Sequence, residues 1–147
     1  MPSDFPLQPL LDLSQMRLDE ATRRLGALIA GEQQATERLE LLMQYREEYQ
    51  KRFLAAAQQG LGRLAWANYQ SFLARLDEAI VQARAAAETS RQRTADGQKA
   101  WLDQRGRLKA FDTLAQRHRL HQRGIEARRE QKDSDEHAAR VGGEAKE

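Results

Sequence analysis

Cysteine is absent from the sequence, proline is rare, and aromatic residues make up only 6% of it. Without cysteine the chain forms no disulfide and performs no thiol chemistry. No apolar run approaches the roughly 20 residues that a membrane-spanning helix needs. The first six residues contain neither a basic region nor an apolar core, so we expect no Sec-type signal peptide. These absences favour a soluble protein of the cytoplasm.

Catalytic motifs are also missing. The sequence has no glycine-rich phosphate loop and neither G-x-S-x-G nor H-E-x-x-H. His118 and His121 would share one helix face, a spacing that a metal could use. Acidic residues are sparse nearby, and we interpret both histidines as surface or half-buried side chains. Because no wide core or deep pocket is expected, we predict a protein that is not an enzyme and has no catalytic residue, cofactor or metal.

The sequence does contain a seven-residue apolar repeat that extends almost from end to end. Two sets of apolar residues interleave at steps of three and four, which are the a and d positions of a heptad. The repeat breaks once, at residues 58–62, and one break predicts two helices joined by a turn. Before the break the sets are Leu11, Leu18, Leu25, Leu39 and Phe53, and Leu7, Ala21, Leu28, Ala35, Leu42, Tyr49 and Ala56. After it they are Trp66, Leu73, Ile80, Ala87, Trp101, Leu108 and Ala115, and Tyr69, Leu76, Ala83, Phe111 and Ile125.

The predicted fold is therefore all-α: two long helices that form an antiparallel coiled-coil hairpin, with helix 2 longer than helix 1. We place helix 1 at about residues 5–57, the turn at 58–62 and helix 2 at about 63–137. Residues 1–140 would form this single hairpin domain. Residues 141–147 are expected to be a disordered tail.

The short break makes the helices antiparallel, so that an a position faces a d position. Facing residues then have numbers that add up to about 122. Trp101 faces Ala21 and Leu25 faces Gly97, so large side chains meet small ones. This complementarity favours a monomeric hairpin over a parallel homodimer. Residues after about His118 have no internal partner and form an overhang of helix 2.

Aromatic and apolar residues widen the seam near the turn. Tyr45, Phe72 and Ala79 occupy g positions beside residues at d positions, and the six residues together form one stripe that spans both helices. Its members are Leu42, Tyr45, Tyr49, Phe72, Leu76 and Ala79. The stripe is either a locally thickened core or an exposed protein-binding patch.

The overhang of helix 2 is basic. Its cations are Arg117, Arg119, Arg123, Arg128, Arg129 and Lys132. It could be a solvated charged helix, an arm that binds nucleic acid, or a segment that inserts into a protein partner. Acidic residues interrupt it and no aromatic residue is interleaved for base stacking, so we expect no binding of nucleic acid.

Specific stretches of the sequence resemble the flagellar export protein FliJ family. They are Tyr45-Arg46-Glu47-Glu48-Tyr49 before the turn, a W-x-N-Y-Q-x-F stretch at residues 66–72, the isolated Trp101, and an E-Q-K-x-x-D-E stretch at residues 130–136. The resemblance covers nearly the whole chain. One departure is Ala83, where some family members carry a histidine.

The resemblance implies a non-enzymatic stalk of the flagellar type III export apparatus, similar in fold to the central stalk of rotary ATPases. It implies insertion into the export ATPase hexamer, promotion of its assembly and activity, and contacts with export chaperones and the cytoplasmic domain of the export-gate membrane protein. The family's gate-binding residues correspond to Leu42, Tyr45, Tyr49, Phe72, Leu76 and Ala79.

By analogy with rotary stalks, the ATPase would bind at the far end, through Leu7, Leu11, Arg119, Arg123, Arg129 and Lys132. The protein would be a monomer when alone and would reach the inner membrane at the flagellar base only through its partners. The alternatives are the equivalent stalk of a virulence-type secretion system and a generic coiled-coil adaptor.

Overall fold

The computed structural model describes residues 4–145. It contains two helices, α1 from Gln8–Gln58 and α2 from Arg63–Ala145, which pack against each other; the described residues include no strand. The all-α fold with a longer second helix is therefore confirmed. Neither helix carries, within the described part, an apolar stretch sufficient to cross a membrane.

The ends of α1 follow from local backbone chemistry. The amide of Gln8 donates a hydrogen bond to the carbonyl of Phe5 at 3.0 Å, and Pro9 lies in the first turn, where its missing N–H leaves no bond unmade. At the other end the amides of Gln59 and Gly60 bond three residues back, each at 3.2 Å. Gly60 has a φ of 91°, a left-handed conformation that glycine adopts without a steric penalty.

The end of α2 corrects the expectation of a disordered tail. The helix continues to Ala145, beyond the expected end near residue 137. Residues 146 and 147 of the expected tail lie outside the described residues. No proline follows Pro9, and Gly142 and Gly143 disfavour the helix by only about 1 kcal/mol each relative to alanine. The local sequence therefore contains no strong signal that ends the helix.

Two compact units can be distinguished by their internal contacts. One comprises Glu20–Trp101, and the other comprises Met1–Asp19 with Leu102–Glu147. Each unit contains a segment of both helices. The single domain over residues 1–140 stays a prediction.

In the unit of residues 20–101, the cross-helix contacts agree with the predicted register. Phe53 lies with its ring centroid 4.9 Å from that of Tyr69. The Thr94 hydroxyl donates to the carbonyl of Leu28 at 3.2 Å. The residue numbers of both pairs add up to 122. Leu76, Ile80 and Ala83 of α2 are the buried apolar residues of this unit.

Close approach of the helices occurs at Gly97. A Cβ atom added there would lie 2.5 Å from Leu28 Cδ1 and 3.7 Å from Leu25 Cδ1. Leu25 does face Gly97 as expected, but Leu28 fills more of the space. Trp101 donates from Nε1 to Thr22 Oγ1 at 2.9 Å, beside its expected neighbour Ala21.

In the unit of residues 1–19 and 102–147, Ser14 and Ala115 are buried. The ring of Phe5 packs on His118, with centroids 5.6 Å apart. Gln122 and Ile125 are half-buried, whereas every residue from Glu126 to Glu144 is exposed. The overhang therefore begins after Ile125 and not after His118. Phe5, which precedes α1, provides the contact with His118.

Candidate partner-binding surfaces

The stripe near the turn is a packed group of aromatic rings. Phe72 packs on Tyr49 with ring centroids 4.5 Å apart and meets Tyr45 edge to face at 6.2 Å. Tyr49 also packs on Tyr69 at 5.1 Å. Such separations are typical of favourable aromatic pairs. The structure thus brings Tyr45, Tyr49 and Phe72 together as the register predicts.

The side chains of the stripe differ in exposure. The stripe therefore has features of both a thickened core and an exposed protein-binding patch. Leu76 is buried, with 6% of its surface exposed, whereas 46% of Tyr45 is exposed. The remaining members, Leu42, Tyr49, Phe72 and Ala79, are half-buried. Leu76 therefore supports the stripe from beneath, and Tyr45 is its most accessible aromatic side chain.

Tyr49 lies where burial alters its chemistry. Partial desolvation raises the pKa of Tyr49 above its ordinary value, and the neighbouring Tyr69 and Tyr45 raise it further. Both effects disfavour the phenolate. The Tyr49 hydroxyl is protonated at neutral pH, as an ordinary tyrosine hydroxyl is, and can donate a hydrogen bond to a partner.

An ion pair beside the stripe was not anticipated from the sequence. Arg46 Nε donates to Asp77 Oδ1 across the two helices, and this bond raises the pKa of Arg46. Arg46 occupies the a position between Leu39 and Phe53, which the apolar repeat skips. A charged residue at a seam position was the available signal, since it needs a partner from the facing helix.

A shallow cleft continues from the stripe along the same unit. It measures about 580 Å³, and its lining is Gly31, Gln34, Ala35, Arg38, Ala79, Gln82, Ala83 and Ala86. Ala83, where the resemblance to the family implies a departure, is buried. Its methyl group therefore offers no polar contact to a partner.

The second candidate surface lies where the N-terminal segment meets α2. An open cleft of about 570 Å³ is lined by Asp4, Phe5, Gln8, Leu11, Ala115, His118, Arg119, Gln122, Arg123 and Glu126. It brings together three of the residues predicted to bind the ATPase: Leu11, Arg119 and Arg123. Leu7 and Leu11 are half-buried, and the two arginines are exposed.

The other three predicted ATPase-binding residues, Leu7, Arg129 and Lys132, do not line this cleft. Arg129 and Lys132 are on the exposed part of α2 that follows Ile125. Lys132 lines a separate surface depression with Arg128, Asp135 and Glu136. This segment carries both basic and acidic side chains, and α1 does not cover it.

The described residues hold no cluster of three or more histidine, aspartate or glutamate side chains that could bind a metal. The sequence interpretation of His118 as a half-buried side chain agrees with its packing on Phe5. Both candidate surfaces can bind other molecules through apolar contacts, hydrogen bonds and charge.

Comparison with known proteins gives consistent matches. Residues 3–147 match the family model described as Flagellar FliJ protein. The chain is 35% identical to the Flagellar FliJ protein of Salmonella typhi and 34% identical to that of Escherichia coli (strain K12). Each match extends over 135 residues and covers 92% of both sequences.

Proposed function

Since the chain belongs to the FliJ family of flagellar proteins, we propose that it is the non-enzymatic stalk of the flagellar type III protein export apparatus. In this role it inserts into the export ATPase hexamer and promotes assembly and activity of the hexamer. It also contacts the cytoplasmic domain of the export-gate membrane protein and the export chaperones. Family membership supports the role in flagellar export.

The observation that carries the proposal is the family match over residues 3–147, because it includes both candidate surfaces. The stripe offers a partly exposed aromatic surface for the gate, anchored on the buried Leu76. The terminal cleft and the exposed end of α2 offer arginine and lysine side chains for the ATPase. The flagellar names of the relatives favour this role over that of a virulence-type stalk.

A stalk that favours the assembled hexamer raises ATPase activity by mass action, because it binds the hexamer more tightly than the separate subunits. The test is co-purification with the cognate export ATPase, with ATP turnover measured with and without this chain. We expect turnover to rise with the chain and to be absent when the chain is alone. Absence of both co-purification and stimulation would contradict the proposal.

A matched variant separates the two proposed surfaces. Tyr45→Ala changes the stripe only, so it should weaken binding to the gate and leave ATPase stimulation unchanged.

In the cell we expect a cytoplasmic protein that is held at the inner membrane through these partners and is monomeric when alone.

A further inference from the structure

The end of the hairpin that contains the turn carries positive charge only. Between Glu48 and Asp77 the sequence has no acidic residue, yet it has four basic ones: Lys51, Arg52, Arg63 and Arg75. The first turn of α2 also lacks an acidic side chain. The dipoles of α1, which ends here, and α2, which begins here, oppose each other, so the side chains set the local charge. The whole chain has 24 basic and 22 acidic residues, so this imbalance is local. It favours a partner of negative charge.

The same end exposes large apolar side chains. Leu64 is 78% exposed, more than any other large apolar side chain described, and Leu54 and Trp66 are 55% and 48% exposed. Leu61, in the turn itself, is half-buried. Trp66 packs on Phe53, with ring centroids 5.0 Å apart, and the rest of its indole is open. We call Arg52, Leu54, Leu61, Arg63, Leu64 and Trp66 the turn surface.

Leucine and tryptophan beside basic residues are the composition of segments that bind at the interface of an anionic bilayer. Leucine side chains enter the boundary between headgroups and acyl chains, and an indole settles at headgroup level. Arginine and lysine are attracted by the negative surface potential of anionic lipids. A bilayer of such lipids presents one sign of charge, which matches the absence of acidic residues here better than the mixed charges of a typical protein surface.

We propose that the turn surface binds directly to the surface of an anionic lipid bilayer. The binding is peripheral, since neither helix in the described part has a stretch that could cross the bilayer. The turn surface shares no residue with the stripe proposed for the gate. The lipid contact is therefore separate from the proposed gate contact and can be tested without any other protein. It adds a direct membrane contact to the association through partners that the proposed function includes.

The test is co-sedimentation of the full-length chain with vesicles. One set contains phosphatidylcholine only, and the other contains phosphatidylcholine mixed with phosphatidylglycerol. We expect binding to the mixed vesicles, little binding to the neutral ones, and loss of binding at high salt, because salt screens the attraction. Equal binding to both sets, or to neither, overturns the proposal.

Substitutions assign the contact to the turn surface. Leu64→Gln should weaken vesicle binding about tenfold, because it removes an apolar side chain that would be buried in the bilayer. Arg52→Gln and Arg63→Gln should each weaken it about fivefold. The matched controls are Leu41→Gln, at a leucine that is 66% exposed, and Arg93→Gln, at an exposed arginine. Losses of the same size in the controls would contradict a localised contact.

Trp66 provides a second readout. The chain has two tryptophans, so Trp101→Phe leaves Trp66 as the only indole. Its emission should shift to the blue when mixed vesicles are added and should stay unchanged with neutral vesicles. Sedimentation without a blue shift would place the contact elsewhere. If the chain binds no vesicles, and Leu64→Gln instead weakens a pull-down by the gate's cytoplasmic domain, the turn surface binds protein and the lipid proposal is wrong.

Discussion

Gly97 shows how one residue sets the distance between the helices. Its missing side chain leaves room for Leu28 and Leu25, so the two backbones approach closely at this point. By contrast, a Cβ atom at Gly106 would meet nothing within 4 Å. The same residue type is therefore required by packing at one position of α2 and merely tolerated at the other.

Gly97→Leu should overpack the seam and lower the free energy of unfolding by about 1–3 kcal/mol. Gly106→Leu is the matched control and should raise stability slightly, because leucine is the better helix former. Urea denaturation followed by circular dichroism measures both. Equal effects at the two glycines would contradict the close approach at Gly97.

Tyr45 and Phe72 differ in what their loss should do. Tyr45→Ala should weaken gate binding by about 2 kcal/mol, as for an interface hot spot, and should change the melting temperature little because Tyr45 is 46% exposed. Phe72→Ala should weaken binding by a similar amount. It should also lower stability somewhat, because its ring packs on Tyr49 and Tyr45.

Melting curves run beside a pull-down with the gate's cytoplasmic domain decide between binding and packing. Leu41→Ala, at an exposed leucine outside the stripe, is the control for both measurements. If the stripe is only a thickened core, Phe72→Ala should lower the free energy of unfolding by about 3–5 kcal/mol, as for a fully buried phenylalanine. Variants that melt early yet still bind the gate at low temperature would show that the stripe is not the gate-binding surface.

At the scale of the element, α2 has two parts with different surroundings. Residues up to Ile125 are packed or half-buried at regular intervals, whereas residues 126–144 are exposed on all sides. A helix segment without tertiary contacts is marginally stable in water. The exposed part of α2 therefore contributes little to the stability of the hairpin and is available to a partner.

Two truncations test this division of α2. Deletion of residues 126–147 should leave the melting temperature nearly unchanged and reduce stimulation of the export ATPase. Deletion of residues 118–147 removes in addition the contact between Phe5 and His118, so it should also lower the melting temperature. Unchanged stimulation after the longer deletion would show that the ATPase does not bind at this end of α2.

At the scale of the whole molecule, the pairing register indicates whether the coiled coil forms within one chain or between two chains. Facing residues within one chain include the close approach of Leu28 to Gly97 and the hydrogen bond between Trp101 and Thr22. A parallel homodimer would instead place Gly97 opposite Gly97 and Trp101 opposite Trp101. The contacts within one chain are therefore better matched in size than those of such a dimer.

We expect the purified protein to be a monomer with the chain mass of 16.8 kDa. Size-exclusion chromatography with light scattering measures this mass over a range of concentrations. Trp101→Phe removes the indole donor to Thr22 and should leave the monomer intact, because a hydrogen bond contributes only about 1 kcal/mol. Twice the chain mass at low concentration would contradict the intramolecular hairpin.

The sequence by itself determined the two helices, the turn and the pairing register. Periodicity suffices for these three features, because apolar residues at a and d positions are buried only when they face one another. It also grouped Tyr45, Tyr49 and Phe72, since residues at adjacent heptad positions share a face. Exact helix ends were less predictable, because Gly142 and Gly143 change the helix energy by only small amounts.

Only the tertiary structure decided the exposure of each side chain and the partners of polar residues. Heptad position does not distinguish the buried Leu76 from the half-buried Leu42, because burial depends on the side chains that the facing helix supplies. The pairing of Arg46 with Asp77 depends in the same way on the reach of two side chains across the seam. Contacts between residues distant in sequence settle such features, and periodicity contains no information about them.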